Sequence, residues 1–208
     1  APLLFDADGD GDLDLYLARG SGQYEPGDPR YRDVLWLNDG RGNFTEAKDA
    51  LPEAFANSSV VKAADFDRDG DLDLFVGSRV KPFAYPTADR SFLLRNDTEN
   101  GVVRFTDVTA QAGENLEYAG LISDAIWTDF NGDFWPDLIL AAEWSPVRFF
   151  ENREGELREI TESTGLAEDK GWWNSLTAAD LDNDGDMDYI VGNSGTNIYF
   201  KGSPEEPV

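Results

Sequence analysis

The sequence predicts an all-β protein: a β-propeller assembled from blades of four antiparallel strands, with about four blades in this chain. Three observations carry that reading. An aspartate-rich stretch recurs four times, at the pitch of one supersecondary unit. Each copy runs into a short segment of alternating β-branched and aromatic residues, the period of a strand. Helical patterning is scarce along all 208 residues.

The four copies are FDADGDGDLDLYLA from Phe5, DFDRDGDLDLFVG from Asp65, DFNGDFWPDLILA from Asp129 and DLDNDGDMDYIVG from Asp180. Each ends in a strand, read in LDLYLA, LDLFVG, DLILAA and MDYIVG. A second strand follows in DVLWLND (33–39), SFLLRND (91–97), PVRFFEN (146–152) and TNIYFKG (196–202). A third stands in NFTEA (43–47), VRFTDVT (103–109) and LREITES (157–163). Before the later copies come SVVKAAD, SDAIWTD and SLTAAD, which complete four strands per unit. Asn, Asp and Gly between the second and third strands read as hairpin turns. Short helical turns are expected only at ALPEAFANS (50–58) and TGLAEDKGW (164–172).

No shift in composition divides the chain, so residues 1–208 form a single repeat region with units near 1–58, 59–121, 122–174 and 175–208. The first unit has no spare strand ahead of it and the fourth lacks its outer strand. The expectation is therefore an arc of a larger propeller, continuous with further blades.

Composition narrows the function. A hydrophobic share of 40% supports a packed core. Seventeen basic residues against 42 acidic ones give a charge of −25. That excludes nucleic acid as a partner, since phosphate contacts need Lys and Arg, and disfavours anionic membrane surfaces. No apolar run is long enough to span a bilayer, and no signal peptide opens the chain. The absence of Cys and His removes thiolate chemistry, the commonest general base and the usual zinc ligand.

Nearly half of the acids lie in the four loops. Positions 1, 3 and 5 are Asp6, Asp8 and Asp10; Asp65, Asp67 and Asp69; Asp129, Asn131 and Asp133; Asp180, Asp182 and Asp184. Position 9 is Asp14, Asp73, Asp137 and Asp188. Position 6, where the chain must turn with positive φ, holds Gly11, Gly70, Phe134 and Gly185. Position 7 (Asp12, Asp71, Trp135, Asp186) would offer a backbone carbonyl, which makes a Trp admissible. Alternating oxygen donors on a tight loop describe a hard-cation site, and with no nitrogen or sulfur ligand the expected ion is Ca²⁺, up to four in all. The third loop, with Asn131 and Phe134, is the weakest candidate. Position 12 holds an apolar residue where an EF-hand needs Glu, so position 9 must close the site between two strands.

These loops and flanks resemble the FG-GAP/VCBS repeats of integrin α-subunit propellers and bacterial surface proteins. SDAIWTDFNGDFWPDLILAAEW and GWWNSLTAADLDNDGDMDYIVGN are similar to bacterial VCBS-repeat proteins with an ASPIC/UnbV region. The resemblance implies a calcium-bearing, usually seven-bladed propeller placed outside the cytosol: extracellular, cell-surface or periplasmic.

Other readings compete at each feature. A single acidic loop is an ordinary solvated turn; four in register are not. Paired carboxylates serve glycosidases, but calcium ligands stay ionised and make poor general acids. Trp172 and Trp173 fit gaps between blades. Tyr24, Tyr31, Phe83 and Tyr85, in two long loops, are candidates for contact with a protein or glycan ligand. The expected function is non-enzymatic: calcium-stabilised adhesion or ligand binding. The alternative is the scaffold of a carbohydrate-active enzyme, a polysaccharide lyase or hydrolase.

Overall fold

The computed structural model describes residues 1–195. Four strands, β1 (Pro2–Phe5), β2 (Asp14–Leu17), β3 (Val34–Asn38) and β4 (Phe44–Glu46), form the first antiparallel sheet in sequence order. The second repeats this order with β5 (Ser58–Ala64), β6 (Asp73–Ser78), β7 (Phe92–Asn96) and β8 (Phe105–Asp107). The third holds β9 (Leu121–Thr128), β10 (Asp137–Ser145), β11 (Arg148–Arg153) and β12 (Glu156–Glu159). A fourth begins with β13 (Gly171–Ala179) paired to β14 (Asp188–Asn193), and joins the third where Glu143 and Ser145 pair with Trp172 and Gly171. These are propeller blades. The expected strand TNIYFKG lies outside the described residues.

Alternation along one strand feeds two cores, because each inner blade is covered on both faces. On β6, Leu74 and Val76 pack with Phe5, Tyr16 and Leu35 of the first blade. Phe75 between them packs with Ile122, Leu138 and Phe150 of the third. On β10, Leu138 and Leu140 join that cluster, while Ile139 and Ala141 turn to Leu176 and Trp173 of the fourth. Every residue of β6 is buried in consequence, so its sequence reads as a nearly continuous apolar run. Gly77 is required by this close approach: a Cβ there would lie 2.7 Å from Val60 Cγ1 and 2.8 Å from Ile122 Cγ2.

Side-chain hydrogen bonds cross each boundary. Ser59, at a bulge in β5, donates to Ile122 O of the next blade at 2.6 Å. Ser123, at a bulge in β9, makes the same bond to Trp173 O.

The helical expectations need correction. Residues 50–58 hold turns and extended chain, because Ala50 O accepts the Phe105 N–H at 2.7 Å and is committed to the sheet. Residues 164–172 hold no helix beyond Thr164, the end of a 3-10 turn over Thr161–Thr164; Gly165, at φ 79°, stops it. The one described α-helix, α1 (Thr109–Ala112), follows β8.

Candidate metal loops

Each aspartate-rich loop joins the first strand of its blade to the second, and all four share one hydrogen-bond pattern. The position-1 carboxylate accepts the N–H of position 6: Gly11 to Asp6 (3.0 Å), Gly70 to Asp65 (3.1 Å), Phe134 to Asp129 (2.8 Å) and Gly185 to Asp180 (3.2 Å). The position-5 carboxylate accepts the N–H of position 7, from Asp12, Asp71, Trp135 and Asp186. The carboxylates therefore wind the backbone around themselves.

Backbone conformation follows. Position 6 has positive φ in every loop: Gly11 at 91°, Gly70 at 105°, Gly185 at 100° and Phe134 at 71°. Phe134 thus sits in a region that side chains avoid. Position 4 is left-handed as well, at Gly9, Arg68, Gly132 and Asn183, a requirement the motif did not advertise because only two copies place glycine there. Arg68 lies over the Trp135 ring of the next blade's loop at 5.1 Å, a second reason a Trp is accommodated at position 7.

The position-9 residue has a structural role that its sequence position alone did not disclose. Asp14, Asp73 and Asp137 have no exposed surface. Each accepts an N–H from its own loop and another from the third strand: Ala7 and Asn38, Phe66 and Asn96, Phe130 and Asn152. Asp188 accepts the Leu181 N–H. Both oxygens retain a lone pair for a cation.

Oxygens of three acids converge to within 4.8 Å in three loops: Asp6, Asp8 and Asp10; Asp65, Asp67 and Asp73; Asp180, Asp182 and Asp188. Asp69 and Asp184 do not join the triplets of their loops, nor does Asp14 join that of the first. In the third loop Asn131 donates to Asp133 at 3.0 Å. In the second loop Asp65 Oδ1 and Asp67 Oδ1 are buried with no hydrogen-bond partner. Buried acceptors without donors are costly and call for a cation or an ordered water.

The FG-GAP-like repeat pattern matches residues 6–76 and 129–191. The chain belongs to the FG-GAP-like repeat family. No curated protein matches it. Among solved structures, a lectin of Agrocybe aegerita, described for specific recognition of non-reducing terminal N-acetylglucosamine, is 16% identical, with a TM-score of 0.54 over 92% of this chain. The chain spans 46% of that lectin's chain. At this identity the likeness bears on fold alone.

Electrostatics in the FG-GAP loops follow from crowding and burial. Burial, then Asp14, raises the Asp8 carboxyl above the usual range; burial, then Asp69, does so for Asp67. Burial raises Asp14, pushes Asp73 up to about 7 and Asp137 to about 6, against the backbone N–H groups that each accepts. A nearby cation favours the ionised forms and opposes every one of these shifts.

The aromatic expectations divide. Tyr31 is buried, its hydroxyl donating to Ser21 O and Tyr24 O, so it is core and not a contact surface. Tyr24 packs edge-on against it. Phe83 and Tyr85 are exposed. Trp173 fills the boundary between third and fourth blades as expected. Among the described residues no helix is long and apolar enough to cross a membrane.

Proposed function

We propose that this chain is a calcium-binding, non-enzymatic propeller segment of a secreted or cell-surface protein, in which Ca²⁺ rigidifies each blade and the blade ends bind a ligand. The observation that carries it is the trio Asp65, Asp67 and Asp73, with two buried oxygens that no protein donor reaches. Asp65, Asp67 and Asp73 would hold the ion in the second loop, Asp6, Asp8 and Asp10 in the first, and Asp180, Asp182 and Asp188 in the fourth. The ion would supply charge neutralisation and a fixed strand-to-strand geometry. All donors are oxygen, which favours Ca²⁺, and the affinities typical of extracellular modules suit a calcium-rich medium. Fold likeness to a lectin supports a glycan as the ligand.

Apolar Leu4, Leu13 and Phe44 on the first blade, and Leu181, Met187 and Ile190 on the fourth, are exposed. Phe105 and Leu157, the counterparts of Phe44, and Phe75 and Ile139, the counterparts of Ile190, are buried between blades. This supports continuity with further blades.

Scanning calorimetry with and without a chelator tests the calcium role. Melting should fall on chelation and recover on adding Ca²⁺, since a ligand at 100 times its Kd stabilises the folded form by about 2.7 kcal/mol. A melting temperature indifferent to exhaustive chelation would remove that role. Glycan-array binding by the same protein tests the ligand class.

A further inference from the structure

The end of the blades opposite the FG-GAP loops gathers aromatic side chains from the 79–91 connection, the end of β10 and the start of β13. Strands β6 and β10 leave their loops at Asp73 and Asp137 and finish at Ser78 and Ser145. Beyond those ends lie the 79–91 connection, the short turn after Ser145 and the start of β13. Trp144 Nε1 donates to the Tyr85 hydroxyl. The Trp144 and Trp172 rings are tilted against each other with centroids 5.2 Å apart. Trp144 holds φ at 61°, a conformation that costs free energy in a non-glycine residue and is commonest where a side chain is aimed for function.

Beside these rings opens a cleft of about 470 Å³, lined by Tyr85, Pro86, Leu121, Glu143, Trp144 and Ser145. This is the size of small-molecule sites, which are mostly apolar with a few polar groups that fix orientation. Glu143 is 3% exposed. Its Oε1 accepts from Arg79 Nε at 2.6 Å, while Oε2 has no hydrogen-bond partner. A charged oxygen left so requires a donor.

We infer that this cleft binds one neutral pyranose unit, an assignment that rests on the ligand-binding part of the proposed function. A pyranose presents a face of C–H groups ringed by hydroxyls. The C–H face matches the Tyr85 and Trp144 rings, and a hydroxyl, directly or through one water, supplies the donor that Glu143 lacks. Charge decides between sugar classes. The chain carries −25, no Lys or Arg lines the cleft among the described residues, and the guanidinium of Arg79 is already paired with Glu143, so uronates and sialic acids are repelled.

Saturation-transfer NMR on the 208-residue chain in calcium, with the methyl pyranosides of glucose, galactose and mannose and with glucuronate, tests the assignment. At least one neutral pyranoside should receive saturation and glucuronate should not. Tyr85→Ala and Glu143→Gln should each weaken that binding by about tenfold. Tyr85 is exposed, so Tyr85→Ala is expected to keep the wild-type melting temperature and stays informative even where Glu143→Gln misfolds. No transfer to any neutral pyranoside, or stronger transfer to glucuronate, overturns the inference. Glycan binding that survives Tyr85→Ala undiminished overturns the cleft but leaves the proposed function standing. Calcium-independent melting would sink the calcium role without touching the cleft.

Discussion

Asn152 on β11 donates its side-chain N–H to the carbonyl of Phe66, in the FG-GAP loop of the preceding blade, at 2.7 Å. The same Nδ2 reaches Pro136 O of its own loop, and its backbone N–H is held by Asp137. Asn96 repeats the arrangement one blade earlier, donating to Ala7 O and Leu72 O. One buried amide therefore ties two successive loops together, next to the carboxylate that closes the second of them.

Asn152→Ala leaves the buried Phe66 carbonyl and the half-buried Pro136 carbonyl without their donor, and should cost about 1–3 kcal/mol. Asn38→Ala should cost less, because Asn38 donates only to the exposed Leu13 carbonyl of its own blade. Urea midpoints with an unchanged slope would measure both. Equal losses would contradict the role of the cross-blade bond.

Phe134 is exposed and left-handed. Replacing it by glycine loses little packing and relieves the backbone, offset by the greater freedom of glycine when unfolded. Phe134→Gly should stabilise the protein by up to about 1 kcal/mol. A destabilised variant in denaturant titration would mean the ring has a partner that the fold does not reveal.

Calcium loading should depend on the second loop more than on the third. Asp67→Ala removes one of the converging oxygens and Asp129→Ala acts on a loop weakened by Asn131 and its bond to Asp133. Titration calorimetry should therefore lose more calcium affinity from Asp67→Ala. The reverse order would show the third loop to be the tighter site.

Asp33 accepts hydrogen bonds from the Tyr16 hydroxyl (2.9 Å), the Ser58 hydroxyl (2.9 Å) and the Arg19 N–H (2.6 Å), yet burial pushes its carboxyl up to about 6. The folded protein holds this proton more tightly than the unfolded chain, whose Asp titrates near 3.9. The resulting stability is full below about pH 4 and is lost as pH rises through about 6. Asp33→Asn, which keeps the shape without the charge, should gain stability relative to wild type between pH 4 and 7 in saturating calcium. A difference that stays constant with pH in thermal melts would exclude this proton linkage.

Much of the fold was legible because each blade is a local object. LDLFVG and DLILAA read as short runs that follow each loop, and both are strands. The loops were legible because position 6 needs positive φ, and glycine at three of four copies marks it. Position 4 was not legible: Arg68 and Asn183 adopt the same conformation without a glycine to betray it. The recurrent Asn38, Asn96 and Asn152 were visible but read as turn formers; the inter-blade bonds of Asn96 and Asn152 join residues as distant as Ala7 and Asn96. The segment 50–58 misled because nothing in its local sequence shows that the Ala50 carbonyl is claimed by Phe105 of β8.

By itself the sequence determined the repeat, the blade composition and the oxygen-only ligand set, since these rest on short-range periodicity and on residue chemistry. Tertiary structure alone decided which face of β6 meets which neighbour, that Tyr31 is core, and that Tyr85, Glu143 and Trp144 border one cleft. Those outcomes come from stacking sheets face to face, which brings together side chains that no local pattern along the chain connects.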